Sequence, residues 1–471
     1  MRQLLGWTAI LALTGCTMIP PWERPASPVA DRWPSVAAPE DGAQASPAAS
    51  LTWQEFFLDE RLREVIRRAL AGNRDLAIAA LNVERAGALL RIERSARTPS
   101  VGVRAAGERY RLPESSTDSG EAETISQYSV NLGFLSWEID LFGRVRSLGA
   151  RALEQYLATA EARRAVETSL VAATASAWMQ LAADSASLRL AGATLAAQET
   201  SRDLIRASRD AGIAADFDLR QADSQVETAR LAQARFAGVV AVDRNALERL
   251  LGAPLPEALL PEDFDRAGAT RPLVAGLPSE VLLDRPDIRA AEHRLRAANA
   301  QIGVARAAFF PRISLTAALG TLSPDLEGLF GSGTRTWSFA PQVDAPLFAG
   351  GGLRAGLRGA KVEREIAVAQ YEKAIQAAFA EVADALALGD SLRAQSEAID
   401  ELVAALAEVL RLAEARYRAG VDGYLGVLVA QRALYDAEQT RVDLQFAERA
   451  NQVALYRALG GGAPPREAGA D

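Results

Sequence analysis

The chain repeats itself once, at a spacing of about 208 residues. Ala211-Gly212-Ile213 returns as Ala419-Gly420-Val421, and Leu251-Gly252 returns as Leu459-Gly460. Asp75-Leu-Ala-Ile-Ala-Ala corresponds to Asp287-Ile-Arg-Ala-Ala-Glu, Pro99 to Pro311, and Leu141-Phe142 to Leu347-Phe348. Each copy keeps one internal order. A helix over 74–97 or 287–309 is closed by proline, two strand-like segments follow, and then two long runs are joined at a glycine. The runs 145–211 with 216–250, and 353–418 with 424–458, are rich in Ala, Leu, Arg, Glu and Gln and contain no proline, so they predict helices. A 67-residue helix extends about 100 Å, which no globular core accommodates, and implies a coiled-coil or tubular assembly. Gly212 and Gly420 stand where left-handed caps close two helical hairpins.

Strand-like segments of both copies alternate in character. Tyr128, Val130, Leu132 and Phe134 alternate with Ser129, Asn131 and Gly133, and then Trp137, Ile139 and Leu141 continue in the opposite phase. A one-residue slip reverses the exposed face, so a bulge or an exit from the membrane is expected near Leu135-Ser136. In the second copy Ile313, Leu315 and Leu319, then Trp337, Phe339 and Val343, alternate with small or polar residues. Such segments suit an outer-membrane barrel, although a half-buried soluble sheet has the same alternation. Two copies supply four strands, too few to enclose a barrel, and an open edge is forbidden in lipid. A dimer pools 8 and a trimer 12; an eight-stranded barrel is filled by side chains, so a channel favours the trimer.

Composition excludes several chemistries. One Cys and one His among 471 residues rule out a disulfide scaffold and the usual zinc sites. A net charge of −8 argues against nucleic-acid binding. His293 has no nucleophile motif beside it, and Gly350-Gly351-Gly352 lacks the Lys-Ser/Thr of a phosphate loop. No enzyme, cofactor or metal is expected. No internal stretch is apolar enough for a spanning helix. The N-terminus has a positive Arg2, an apolar Leu4 to Leu13 and the closing Leu13-Thr14-Gly15-Cys16, which is the pattern of a secretory signal. The resulting organisation is a signal peptide over 1–15, a Pro/Ala/Ser-rich tether over 16–50, repeats over 51–262 and 263–461, and a tail over 462–471.

Several long motifs carry a family resemblance. They are Gly276-Leu-Pro-Ser-Glu-Val-Leu-Leu-Asp-Arg-Pro-Asp-Ile-Arg-Ala-Ala-Glu292, Trp137-Glu-Ile-Asp-Leu-Phe-Gly-Arg-Val-Arg146 and Pro346-Leu-Phe-Ala-Gly-Gly-Gly-Leu-Arg354. Tyr417-Arg-Ala-Gly-Val-Asp-Gly-Tyr-Leu425 and Tyr456-Arg-Ala-Leu-Gly-Gly461 complete the set. The chain resembles the TolC-like outer membrane factors, lipoprotein branch, which serve resistance-nodulation-division efflux pumps. Leu13-Thr14-Gly15-Cys16 resembles a lipobox, which makes Cys16 an acylated N-terminus held by outer-membrane lipid. The resemblance implies an α+β membrane protein. Its fold is a trimeric 12-stranded β-barrel, with four strands per protomer over 99–112, 124–142, 311–323 and 335–348, continued by a long α-helical coiled-coil barrel in the periplasm. It further implies a periplasmic adaptor and an inner-membrane pump as partners, and small amphipathic substrates. Duct of a type I protein secretion system, and structural coiled-coil lipoprotein without a pore, stand as alternatives. The resemblance makes Asp218 an acidic pore-facing residue of the periplasmic gate and Tyr417 a tip residue that makes closing hydrogen bonds. Asp216 reads equally as a helix cap or as part of the gate. Asp422 occupies a place where some members carry a basic residue, and the second copy has Gly426 and Val429 where the family has aspartates.

Overall fold

A computed structural model describes residues 17–33, 51–118, 120–262, 264, 268–271, 273 and 279–461. The proposed lipobox with Cys16, part of the tether (34–50) and the tail 462–471 lie outside these. The elements are α1 (Trp53–Phe56), α2 (Glu60–Gly72), α3 (Arg74–Ser95), β1 (Val101–Leu112), β2 (Glu123–Glu138), α4 (Arg144–Asp210) and α5 (Asp216–Leu251). They continue with α6 (Pro286–Ala307), β3 (Arg312–Ser323), β4 (Arg335–Asp344), α7 (Gly352–Arg418) and α8 (Tyr424–Ala458). The strands are shorter than their sequence patterns: β2 stops at Glu138 and β4 at Asp344. Beyond Glu138 the backbone keeps a further bond to β3, Ile139 N–H to the Ile313 carbonyl at 2.8 Å.

Two compact units divide the chain, and neither coincides with a repeat. Among the described residues, one comprises those up to 26 together with 82–160 and 290–371; the other comprises those within 27–81, 161–289 and from 372 onward. Each draws on both copies, so the duplication is woven through the fold rather than laid out as two bodies.

In the first unit the strands form one antiparallel sheet in the order β1-β2-β3-β4. Over the part of the sheet nearer the helices, register sorts the side chains by polarity. Val103 faces Leu132, Leu132 faces Leu319, and Leu319 faces Trp337, while Arg104, Asn131, Gly320 and Thr336 share the next row. Because side chains alternate along a strand, the first row and those two residues away build one apolar face and the second builds a polar one. The phase slip in β2 does not reverse the face. A bulge between Phe134 and Trp137 absorbs it, so that Trp137 pairs with Leu315 on the same side as Phe134 with Ala317. Ser136 takes φ +54° there, and its N–H donates to Thr316 Oγ1 at 3.2 Å. Gly133 is required by close approach, since a Cβ would meet the Ala317 carbonyl oxygen at 2.1 Å.

Residues 17–33 are not free. From Met18 to Arg24 the extended segment runs antiparallel along one stripe of α6. Arg306 donates to the Met18 carbonyl (3.2 Å), Asn299 Nδ2 to the Pro20 carbonyl (2.9 Å), the Arg296 guanidinium lies over the Trp22 ring, and Arg24 pairs with Glu292 (3.0 Å). Positions 292, 296, 299 and 306 lie on one helical face, and Ile19 fills the space above Gly303 on the same face. His293 meets Glu154 on α4 at 2.7 Å, an acidic neighbour that its sequence surroundings did not reveal.

The second unit has its core around α1 and α2. Phe56 stacks on Tyr456 (centroids 4.2 Å apart) beside Phe57, Trp178 and Met179. Arg285, from the Leu-Asp-Arg-Pro-Asp motif, is almost buried. It donates to both oxygens of Asp287 (3.0 and 2.7 Å), to Glu381 (3.1 Å) and to the Ala458 carbonyl (2.7 Å), locking the start of α6 to α7 and α8.

Candidate functional site

The apolar face of the sheet is bare in a single chain. Val101, Val103, Leu132, Leu319, Trp337, Phe339 and Val343 are all more than half exposed, Trp337 at 76%. At about 1.5–3 kcal/mol each, covering the seven is worth roughly 10–20 kcal/mol, as much as the whole net stability of a typical domain. A face of this kind is built for lipid. The opposite face carries a hollow of about 750 Å³ whose lining includes Arg104, Gln127, Ser129, Asn131, Thr316 and Ser338, groups that hydrogen-bond water, with Leu322 among them and Val101 and Val103 at the β1 edge. The outer strands β1 and β4 each leave one edge unpaired within the chain. Where the sheet meets α4, Arg144 binds Glu138 with two donors, Arg146 binds Asp140, and Phe142 stacks on Phe310 at 4.8 Å.

The hairpin turns of the second unit are built alike. After α4, Gly212 (φ +76°) donates to the Arg209 carbonyl (2.9 Å) and Ile213 to Ser208 (2.8 Å). After α7, Gly420 (φ +70°) donates to Tyr417 (2.9 Å) and Val421 to Arg416 (3.0 Å). Both are left-handed caps with paired return bonds, and nothing lies within 4 Å of a Cβ at either glycine, so φ and not space selects glycine.

The sequence-derived gate residues fall around these turns with a changed division of labour. The cap of α5 is not Asp216. Its N-cap is Ala215, whose N–H donates to Asp218 Oδ2 at 3.2 Å, so Asp218 makes the capping bond. Asp216 stands in solvent and faces Arg209 at 3.4 Å. Asp422 forms a two-pronged ion pair with Arg416, and that guanidinium holds the Asp422 carboxyl below its ordinary value. Tyr417 packs against Tyr424 (5.4 Å, 58°) at the margin of a cluster of Ile205, Leu219, Ala222, Val427 and Leu428 that joins the two hairpins. Burial raises the Tyr424 phenol. At the positions of the missing aspartates, Val429 is 62% exposed and Gly426 has open space beside its Cα.

Sequence reading missed Asp243. Burial, then a hydrogen bond and the charge of Asp184 across the α4–α5 pair, push its carboxyl up to about 7. The duplication held the signal, because the equivalent residue in the second copy is Asn451. Among the described residues no group of three or more His, Cys, Asp or Glu side chains is arranged to hold a metal ion.

An amphipathic antiparallel sheet with bare edges, joined to helices of 67 residues, defines a membrane protein that spans as a β-barrel pooled from several chains. The chain belongs to the outer membrane efflux protein family, whose model matches residues 65–253 and again 277–461. It is 46% identical over 460 residues to the solvent efflux pump outer membrane protein SrpC of Pseudomonas putida, covering 96% of this chain and 97% of that one. To the outer membrane protein OprJ of Pseudomonas aeruginosa it is 44% identical, over 96% of this chain and 94% of the relative. Among solved structures it resembles the open state of the Neisseria gonorrhoeae MtrE outer membrane channel, with a TM-score of 0.87, 39% identity and coverage of 95% and 99%. A membrane protein from Pseudomonas aeruginosa matches with a TM-score of 0.88, 42% identity and coverage of 95% and 98%. The chain is thus an outer-membrane efflux channel protein and not an enzyme.

Proposed function

We propose that three copies pool their sheets into a 12-stranded barrel that conducts small amphipathic compounds passively out of the cell. The single observation that carries this reading is the register. From the helix end up to the row of Val103, Leu132, Leu319 and Trp337, the three ladders set apolar beside apolar on one face and polar or small residues together on the other, so closing the edges of β1 and β4 against other copies gives a lipid-facing wall and a wet lumen. In this reading an inner-membrane resistance-nodulation-division pump supplies the energy and a periplasmic adaptor joins pump to duct. Cys16 carries the acyl anchor in the outer-membrane lipid. Around the hairpin turns at Gly212 and Gly420, Asp218 and Tyr417 hold the narrow end closed, Asp422 ties its own turn to Arg416, and Asp216 adds exposed charge.

Conductance of the purified protein in a planar bilayer tests the duct: discrete channels are expected, and an electrically silent trimer overturns it. Deleting the gene and comparing drug sensitivity with protein secretion separates efflux from type I export. Greater sensitivity with secretion intact is expected; lost secretion with unchanged sensitivity supports export instead.

A further inference from the structure

The outward, apolar face of the sheet ends abruptly at the strand ends farthest from the helices. Along β1 that face reads Val101, Val103, Ala105 and Gly107, and then Arg109 and Arg111. Along β4 it reads Val343, Pro341, Phe339 and Trp337, and then Arg335. Aromatic rings mark the border. Tyr128 lies over Gly107, with ring atoms 3.1 Å from where a Cβ would stand, and Trp337 precedes Arg335 on its face. All three arginines are exposed, on opposite edges of one sheet.

Chirality decides what happens to those edges on closure. The Ile313 carbonyl accepts from Ile139 on the β2 side, and Leu322 N–H donates to the Thr334 carbonyl on the β4 side. For L-residues these two bonds place β4 to the left of β3 when the apolar face is viewed with the helices below. Barrel strands tilt to the right in that view, by about 35–45°. A row crossing the strands leftward therefore climbs. Over four strands spaced about 4.8 Å apart, the climb amounts to about 4–6 residues at about 3.3 Å each. The row through Ala105, Val130, Thr321 and Arg335 accordingly reaches the next protomer four to six positions beyond its Ala105. Only even steps keep a side chain on the outward face, so the row ends on Arg109 or Arg111.

We infer that each junction between protomers assembles Arg335 of one copy with Arg109 and Arg111 of the next into a site for phosphorylated lipid headgroups in the outward leaflet. The inference rests on the trimeric barrel proposed above. Three guanidinium groups brought together at a membrane border repel one another unless an anion lies between them, and guanidinium binds phosphate with paired donors. The acidic residues of that end lie in the turns, Glu114, Asp118 and Glu121 between β1 and β2 and Asp325 and Glu327 between β3 and β4, or, for Glu123, on the first residue of β2, whose side is the polar face. Below the arginines, the apolar wall and the Tyr128 and Trp337 rings suit the acyl chains and interface of the same lipid. The headgroup belongs to a lipid of the surrounding leaflet, and free phosphate, lacking acyl chains, is a poor substitute.

Two measurements on the full chain test this. In native mass spectrometry of the purified trimer, diphosphorylated lipid A is expected to bind about tenfold better than its dephosphorylated form. Arg109→Gln/Arg111→Gln/Arg335→Gln is expected to lose that preference while remaining trimeric, and excess inorganic phosphate is expected not to displace the lipid. Equal binding of the two lipids by an intact trimer, or an unchanged preference in the triple variant, overturns the site and leaves the duct reading standing. Displacement by free phosphate also overturns the lipid assignment. Because Cys16 is the only native cysteine, pairing Arg335→Cys with Arg109→Cys or Arg111→Cys reads the junction directly. One of the two pairs is expected to give covalent trimers; trimers that cross-link through neither pair refute the juxtaposition. A preparation that is never trimeric refutes the duct reading and this inference together.

Discussion

Replacing Asp243 by Asn copies into the first repeat what the second already contains. Asp243-Arg-Asn-Ala-Leu-Glu-Arg-Leu-Leu-Gly aligns with Asn451-Gln-Val-Ala-Leu-Tyr-Arg-Ala-Leu-Gly, and Asn451 Nδ2 donates to the Ala385 carbonyl at 2.8 Å. Asp243 instead faces Asp184, which already accepts from Gln180 Nε2. Burial and that neighbour raise the Asp243 carboxyl from 3.8 to about 7. The sign follows from proton binding. Below about pH 4 folded and unfolded chains both hold the proton, and stability is unaffected. Between about pH 4 and 7 the unfolded chain releases a proton that the fold retains, so stability falls with rising pH and levels off above about 7. Three pKa units correspond to about 4 kcal/mol as a ceiling, but the pair is partly exposed and water screens it, leaving about 1–2 kcal/mol. Asp243→Asn removes this penalty. Thermal unfolding of the purified protein, followed by its helical circular dichroism at pH 4.5 and 8.5, is expected to show a gain of roughly 1–2 °C at pH 8.5 and little change at pH 4.5. Asp184→Asn is expected to act in the same direction, since it removes the neighbouring charge. An equal shift at both pH values, or a loss of stability at pH 8.5, refutes the reasoning.

Arg285→Met is expected to cost about 2–3 kcal/mol, mostly from the orphaned Ala458 carbonyl, because Asp287 and Glu381 are exposed enough to rehydrate; a melting temperature equal to wild type refutes that apportionment. Gly133→Val drives a side chain into the Ala317 carbonyl and is expected to abolish the heat-resistant oligomer on gels while the helical spectrum persists; an oligomer of normal heat resistance contradicts it. Asp218→Ala loses the bond from Ala215, worth about 1 kcal/mol, and is expected to raise resting conductance; identical single-channel traces remove Asp218 from the gate. Cys16→Ser is expected to abolish incorporation of labelled palmitate, and unchanged labelling rejects the lipobox.

Legibility followed the range of the interactions. Helices α4, α5, α7 and α8 were visible because composition, absent proline and flanking glycines all act within a few turns. The β2 slip was visible as a break in alternation, yet whether it turns the face or bulges depends on where Leu315 and Ala317 stand on the next strand. The division of roles at the first tip was less legible. Asp216 and Asp218 are two residues apart at a helix start, and only the placement of Ala215 as N-cap gives the capping bond to Asp218 and leaves Asp216 to Arg209. Arg285 sat in a conspicuous motif beside Asp287, but its other two partners lie 96 and 173 residues away.

The sequence alone determined that this protein is a doubled unit of strands and helices that one chain cannot bury, because alternation, periodicity and length are local properties. One Cys and one His likewise leave a disulfide scaffold and the usual zinc sites without ligands. Tertiary structure alone decided that the two copies interleave into both compact units, that residues 17–24 lie along α6, and which face of the sheet each residue occupies. Those outcomes depend on contacts between segments far apart in the chain, whose free energies are set by register and packing and leave no local signature.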